Sequence, residues 1–342
     1  MKRSFAPIIV MNGPAAILFA AVVACFVALQ APGTEASSTV RPPVNGAFIF
    51  SYFKNNGEDG LHLAFSYDAL VWHSINADKP LLTPTVGRDR LMRDPQIIQG
   101  PDGLYRMVWT TSWSEPVLGY ASSKDLINWS DQQAISPMAT EPDVRNVWAP
   151  ELFYDGSRRQ YLLFWSSTIP GRFPETDNSN LNGRNHRIYC TTTTDFHNFS
   201  PTRLFYNPGF NVIDATIARD GTRYLMFFKD ETRAPVPQKN LHYAVSTDPD
   251  GPYGPASAPI TEKSYWAEGP SAIKVGSRWI VYFDKYYDEK IHQHSEHVYG
   301  AVASGDLKRW EDISAQLSFP AGTRHGSVLP VSRTVLEKLL QL

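Results

Sequence analysis

The chain has 342 residues, enough for one large domain or two ordinary ones, and its 42% hydrophobic content can fill a packed core. A net charge of −2 with no basic block excludes a nucleic-acid partner, because phosphate binding needs concentrated Lys and Arg. Aromatic residues make up 13% of the chain, which suits β structure and stacking on sugar rings.

The first segment in chain order reads as a signal peptide over residues 1–36. Lys2 and Arg3 give the positive start, Ala15 to Leu29 the apolar run, and Thr34-Glu35-Ala36 the small residues of a cleavage site. An uncleaved anchor, or a loose lipidation box at Cys25, is the alternative reading of the same residues. The expectation is a secreted or periplasmic protein with no stable membrane insertion after cleavage, since no later stretch is apolar enough to span a bilayer. Cleavage would leave Cys190 without a disulfide partner. Residues 37–44 read as a linker.

From residue 45 to 332 the chain reads as one domain built on a repeat. Four units pair a short strand led by an acid with an aromatic strand: Asp94 with Tyr105 to Trp109, Glu151 with Tyr161 to Trp165, Asp214 with Tyr224 to Phe228, and Glu268 with Trp279 to Phe283. Gly103, Gly156, Gly221 and Gly276 mark the connecting turns. Third strands near Leu118, His186, Leu241 and Val298 run into Asp125, Asp195, Asp248 and Asp306, which are predicted to accept backbone N–H groups in turns. Each unit is thus a four-stranded antiparallel meander. A fifth unit is split. Ala47 to Phe53, Leu61 to Asp68 and Val71-Trp72 lack a first strand, and His325 to Val331 supplies one from the far end. The expected fold is all-β, a five-bladed β-propeller whose ring is closed by pairing a C-terminal strand with the N-terminal blade. In the tail, residues 333–342, the helical spacing of Val335, Leu336, Leu339 and Leu340 predicts a short helix.

First strands surround a propeller axis, so Asp94, Glu151, Asp214, Glu268 and His325 are expected at one mouth of the central channel. Four carboxylates crowded there would repel one another unless each has a task or a counter-charge, which points to chemistry. The loops from Asn55 to Gly60, Ser167 to Asn185, Asp230 to Asn240 and Lys285 to His297 are expected to wall that mouth into a pocket for the end of a glycan. His292, His294 and His297 in the last of these are read as an exposed polar loop in preference to a zinc site.

Five short motifs open the units in order: Arg93-Asp94-Pro95, Trp148-Ala149-Pro150-Glu151, Ile213-Asp214, Glu268-Gly269-Pro270 and Arg324-His325-Gly326. Together they resemble glycoside hydrolase family 43, the arabinofuranosidase and xylosidase family of five-bladed propellers. Asp214-Ala215 departs from the Asp-Pro of many relatives. An Asn-Asp-Pro-Asn box and an acid followed by Cys, both features of sucrose-cleaving propellers, are missing from the sequence.

The resemblance implies an inverting, exo-acting glycoside hydrolase that takes an oligo- or polysaccharide and releases α-L-arabinofuranosyl, β-xylosyl or galactofuranosyl ends. Asp94 would be the general base, Glu268 the general acid, and Asp214 the residue that raises the pKa of Glu268. Trp148, Glu151 and Arg324 would contact substrate. His325 would touch, through water, a calcium or other ion in the channel, and no cofactor is otherwise required. Inverting enzymes hold their two carboxyls roughly 6.5–9.5 Å apart to admit a water. Tyr265-Trp266-Ala267 would give Glu268 an apolar setting that favours its protonated form. A monomer is expected. The competing readings are a non-catalytic carbohydrate-binding propeller and a phosphorolytic enzyme using Arg93, Arg145 and Arg324.

Overall fold

The computed structural model describes residues 46–180, 182–288 and 297–342. The expected signal segment and linker, and His292 and His294 of the histidine loop, lie outside the described residues. The described residues all belong to one compact unit, Thr39–Leu342.

In chain order the strands are β1 (Gly46–Phe53), β2 (His62–Ser66), β3 (His73–Ser74), β4 (Arg93–Gln99), β5 (Tyr105–Thr110), β6 (Leu118–Ser123) and β7 (Gln133–Ile135). They continue as β8 (Trp148–Asp155), β9 (Gln160–Thr168), β10 (His186–Thr193), β11 (Arg203–Tyr206), β12 (Val212–Asp220), β13 (Arg223–Asp230) and β14 (Leu241–Ser246). The last are β15 (Tyr265–Val275), β16 (Arg278–Asp288), β17 (Val298–Ser304), β18 (Glu311–Asp312) and β19 (Arg324–Ser332), before helix α1 (Arg333–Leu339). They form five sheets with strand orders β19-β1-β2-β3, β4-β5-β6-β7, β8-β9-β10-β11, β12-β13-β14 and β15-β16-β17-β18. This is a five-bladed propeller. The ring closes where β19 runs antiparallel to β1, from Gly46 opposite Ser332 to Phe53 opposite Arg324.

Apolar residues collect between neighbouring blades, as expected when both faces of every sheet are covered. Trp109 anchors the packing of the first blade on the second, Trp165 the second on the third, and Phe164 with Phe228 the third on the fourth. Phe227 and Phe283 join the fourth blade to the fifth, while Phe50 and Tyr282 join the fifth to the first. Each such fully buried side chain contributes about 1.5–3 kcal/mol. Helix α1 is capped by Ser332, whose hydroxyl accepts the Val335 N–H, and it buries Leu336 and Leu339 at the first interface. Among the described residues no helix is long and apolar enough to cross a membrane.

The five turn aspartates hold backbone amides. Asp68 accepts the N–H of Leu70 and of Val71, each at 2.8 Å, and Asp125 accepts those of Ile127 and Asn128 at 2.9 and 2.7 Å. Asp195 and Asp306 repeat the arrangement, and Asp248 accepts from Asp250. One blade departs from the four-stranded expectation. Beyond β14 the chain carries Pro249, Pro252, Pro255 and Pro259, which have no N–H for a ladder. It follows β14 as an irregular ribbon, donating from Gly254, Ser257 and Ile260 to the carbonyls of Val245, Tyr243 and Leu241.

Candidate active site

Every innermost strand breaks its register near its start. Pairing skips the two residues between Arg93 and Gln96, between Trp148 and Glu151, between Ile213 and Thr216, and between Glu268 and Ser271. The same irregularity falls between Arg324 and Ser327 in β19. The first skipped residue has positive φ in four blades: Asp94 (53°), Ala149 (45°), Asp214 (55°) and Gly269 (60°). A bulge of this kind re-aims a side chain and leaves it off the ladder. Asp94, Asp214 and His325 therefore occupy equivalent positions. Glu268 sits one residue earlier and Glu151 two residues later. The five leading residues are not equivalent, which corrects the sequence alignment of the units.

A pocket of about 290 Å³ opens at this end of the axis. Asp94, Asp214, Glu268, His325 and Trp148 all line it, together with Thr110, Trp113, Arg184 and Lys239. Wall residues come from the expected loops after β9 and β13 and from the unexpected connection after β5, whereas the Asn55 to Gly60 loop contributes none. A larger hollow of about 630 Å³ lies between β7 and the turn from β10 to β11, but no carboxylate lines it. Its one titratable lining side chain is His197.

Asp94 is fixed on both oxygens. Thr110 donates its hydroxyl to one at 2.7 Å, and Nδ1 of His325 stands 3.2 Å from the other. Burial works to raise its pKa, but the His325 and Arg93 charges and the Thr110 bond hold it down at about 2. The partner imidazole is pushed up to about 9: burial opposes its charge, and Asp94 with Asp214 and Glu268 favours it more. At neutral pH this is an ion pair with an ionised aspartate.

Asp214 accepts the N–H of Gly269 at 3.1 Å, which ties it to the residue after Glu268. Burial raises its pKa, and the Glu268 and Asp94 charges add to the rise. Glu268 goes the other way. Burial alone would raise its pKa, yet the buried Lys229 ammonium donates to Oε2 at 2.8 Å and, with Arg324 and His297 nearby, lowers it. The apolar setting expected from Tyr265-Trp266-Ala267 is overridden by this lysine. Neighbouring carboxyls titrate as a unit, and within the Asp214–Glu268 pair a proton is favoured on Asp214 over Glu268 in the free protein. Lys229 also meets Glu231 at 2.7 Å and Tyr286 at 2.9 Å.

Two expected substrate contacts lie elsewhere. Glu151 is not part of the pocket lining; two residues further along its strand, it faces a narrow chamber in the channel with Gln96 and Ser327. Burial there pushes its pKa up to about 8. Arg324 serves carboxylates: its Nε donates to the fully buried Asp284 at 2.8 Å, and its Nη2 stands 4.0 Å from Glu268.

The side chains overlooked in the sequence share one location. Thr110, Ser166, Lys229 and Asp284 stand opposite Arg93, Trp148, Ile213 and Glu268 at the inner ends of the second strands. Each serves the site. Thr110 bonds Asp94, Ser166 accepts the Asp214 N–H at 3.1 Å, Lys229 pairs with Glu268, and Asp284 holds Arg324. A polar residue directly after a run of buried aromatic ones was the available signal.

Among the described residues the channel offers a calcium ion few direct ligands, so an ion beside His325 would be held largely through water. Calcium takes six to eight oxygens, water among them. The chamber beside His325 offers Asp94, already engaged twice, and Glu151, whose carboxyl is kept neutral. Glu268, Asp284 and His297 bring donor atoms within 4.8 Å of one another, but Lys229 and Arg324 already neutralise the two acids.

Residues 44–337 match a glycosyl hydrolase 43-related family described as a probable glycosyl hydrolase domain. A curated relative, an α-L-arabinofuranosidase of Bifidobacterium longum subsp. longum, is 28% identical over 120 residues. That stretch is 32% of this chain and only 11% of the relative. The α-L-arabinanase of Cellvibrio cellulosa, solved with arabinohexaose, superposes with a TM-score of 0.55 at 14% identity, covering 83% of this chain and 96% of its own. An α-L-arabinofuranosidase from Lactobacillus brevis gives 0.52 at 15% identity over 65% and 72%. At such identities these likenesses are of fold. The family match spans nearly the whole propeller, and the chain belongs to the glycosyl hydrolase 43-related family, with the five-bladed propeller fold.

Proposed function

We propose that the pocket hydrolyses a terminal glycosidic bond with inversion, and that α-L-arabinofuranosyl ends are its first substrate, with β-xylosyl or galactofuranosyl ends next. The observation that carries this reading is the convergence of three carboxyls on one pocket, each with different partners: His325 and Thr110 on Asp94, the Gly269 N–H on Asp214, and Lys229 on Glu268. Asp94 is locked as an anion by His325 and Thr110, the state needed to take a proton from water. Glu268, standing off the bulge, takes up a proton as substrate binds and delivers it to the leaving oxygen, and Asp214, whose pKa burial raises, is the neighbouring carboxyl that can supply it. Lys229, already hydrogen-bonded to Glu268, stabilises the carboxylate left behind. A volume of about 290 Å³ lies at the low end of the roughly 300–1,000 Å³ usual for ligand pockets, which suits one end of a chain. The arabinose specificity of the relatives lends support. Export ahead of action on an extracellular glycan belongs to the same proposal, on the pattern of residues 1–36.

The test is hydrolysis of nitrophenyl α-L-arabinofuranoside, β-xyloside and β-galactofuranoside, with proton NMR of the first-formed anomer. Asp94→Asn and Glu268→Gln should each lower turnover by about 10²–10⁴-fold while the circular dichroism spectrum is kept. Near-normal rates in both variants, or a retained anomer, would overturn the mechanism.

A further inference from the structure

One wall of the pocket is built from two guanidinium–indole stacks. Arg93 lies over the Trp113 ring at 4.2 Å, and Arg184 over the Trp148 ring at 4.2 Å. The two indoles meet edge to face, with centroids 5.5 Å apart at 87°. The carbonyl of Trp113 locks the assembly, accepting from Nε1 of Trp148 at 3.2 Å and from Nη2 of Arg184 at 3.3 Å. Trp113 is 45% exposed, an open aromatic face at the rim.

The other buried cations around the site are committed, while Arg233, which also lines the pocket, is exposed. Lys229 and Lys239 pair with Glu231, Lys229 also with Glu268, and Arg324 with Asp284. Arg93 and Arg184 differ. Among the described residues neither has a carboxylate within 4.0 Å; Arg93 reaches only the Asn56 side-chain carbonyl, at 3.0 Å, and Arg184 only a backbone oxygen. Arg93 is nevertheless buried and Arg184 half-buried. A guanidinium withdrawn from water with no carboxylate in direct contact is unfavourable, and stacking on an indole fixes its plane while leaving N–H donors free along the edge. Withdrawal from water pulls both pKa values down, an effect that an arriving anion reverses. A planar carboxylate matches the guanidinium fork, and a sugar ring matches the exposed Trp113 face.

We propose that Arg93 and Arg184, held on Trp113 and Trp148, form a subsite for the carboxylate of an acidic sugar, so that the glycan processed here contains a uronic acid. This rests on the glycosidase reading of the same pocket.

Binding and cleavage separate the two ideas. The Glu268→Gln protein is titrated calorimetrically with glucuronoxylo-tetraose and with trigalacturonate, each as the free acid and as its methyl ester. At least one free acid should bind about tenfold more tightly than its ester. Adding Arg184→Gln should reduce that preference to about threefold or less, with the melting temperature kept, because the bidentate contact is gone. Equal binding of acid and ester, no binding of either acid, or a preference that survives Arg184→Gln would overturn the subsite. So would saturable binding of inorganic phosphate that uronate does not displace, since the clamp would then serve phosphate. Failure of the nitrophenyl panel with the uronate preference intact would instead count against the hydrolytic reading alone.

Discussion

Lys229 decides when Glu268 carries a proton, and it was not legible from the motifs. Its ammonium lowers the Glu268 pKa, so the acid form needed for leaving-group protonation is lost at a lower pH than in an apolar site. Replacing it by methionine removes the cation, and the Glu268 pKa then rises. The basic limb of the kcat/KM profile should accordingly move to higher pH by about one unit or more. A pH–rate series on Lys229→Met checks this; a lysine with only a structural role would lower the rate and leave the limb in place. The sequence did identify Asp94, Asp214, Glu268, Trp148 and His325, all of which line the pocket. It misplaced Glu151 because spacing counts residues and cannot register a two-residue bulge. It missed Thr110 and Lys229 because each looks like the solvated end of a strand until the neighbouring blade covers it.

At the scale of elements, the repeat was readable because aromatic second strands and turn aspartates recur with the blades. Those aspartates are structural. Asp68 accepts two backbone N–H groups and the Ser66 hydroxyl, and Ala69 beside it has φ of 64°. Asp68→Ala should therefore lose about 1–2 kcal/mol in urea unfolding without changing activity, because net contributions of charged hydrogen bonds are of that size. The missing outer strand of the fourth blade was foreshadowed by a sequence difference. The other units place Trp129, Phe199 or Trp310 after the turn aspartate, whereas Asp248 runs into Pro249 and three further prolines. Aromatic pattern predicts a strand only where backbone donors exist to pair it.

For the molecule as a whole, closure of the ring holds stability and site together. The strand that completes the first blade also delivers Arg324 and His325, so that blade cannot loosen without disturbing the Asp94 pair. Gly326 is the tightest point. A Cβ there would run into the carbonyl oxygen of Ser51 on β1, and backbone cannot yield as a side chain would. Gly326→Ala should destabilise by about 3 kcal/mol and lower activity in parallel, read by urea denaturation and by nitrophenyl glycoside hydrolysis.

The perimeter of the ring has a different consequence. The outer strands are short, two residues in β3 and β18 and at most four in β7 and β11, and the fourth blade ends in proline-spaced backbone. Copies meeting side by side thus find little uninterrupted β-ladder to extend. Concentrated solutions of the folded propeller should resist edge-to-edge stacking into fibrils, leaving its interactions to the mouth of the channel.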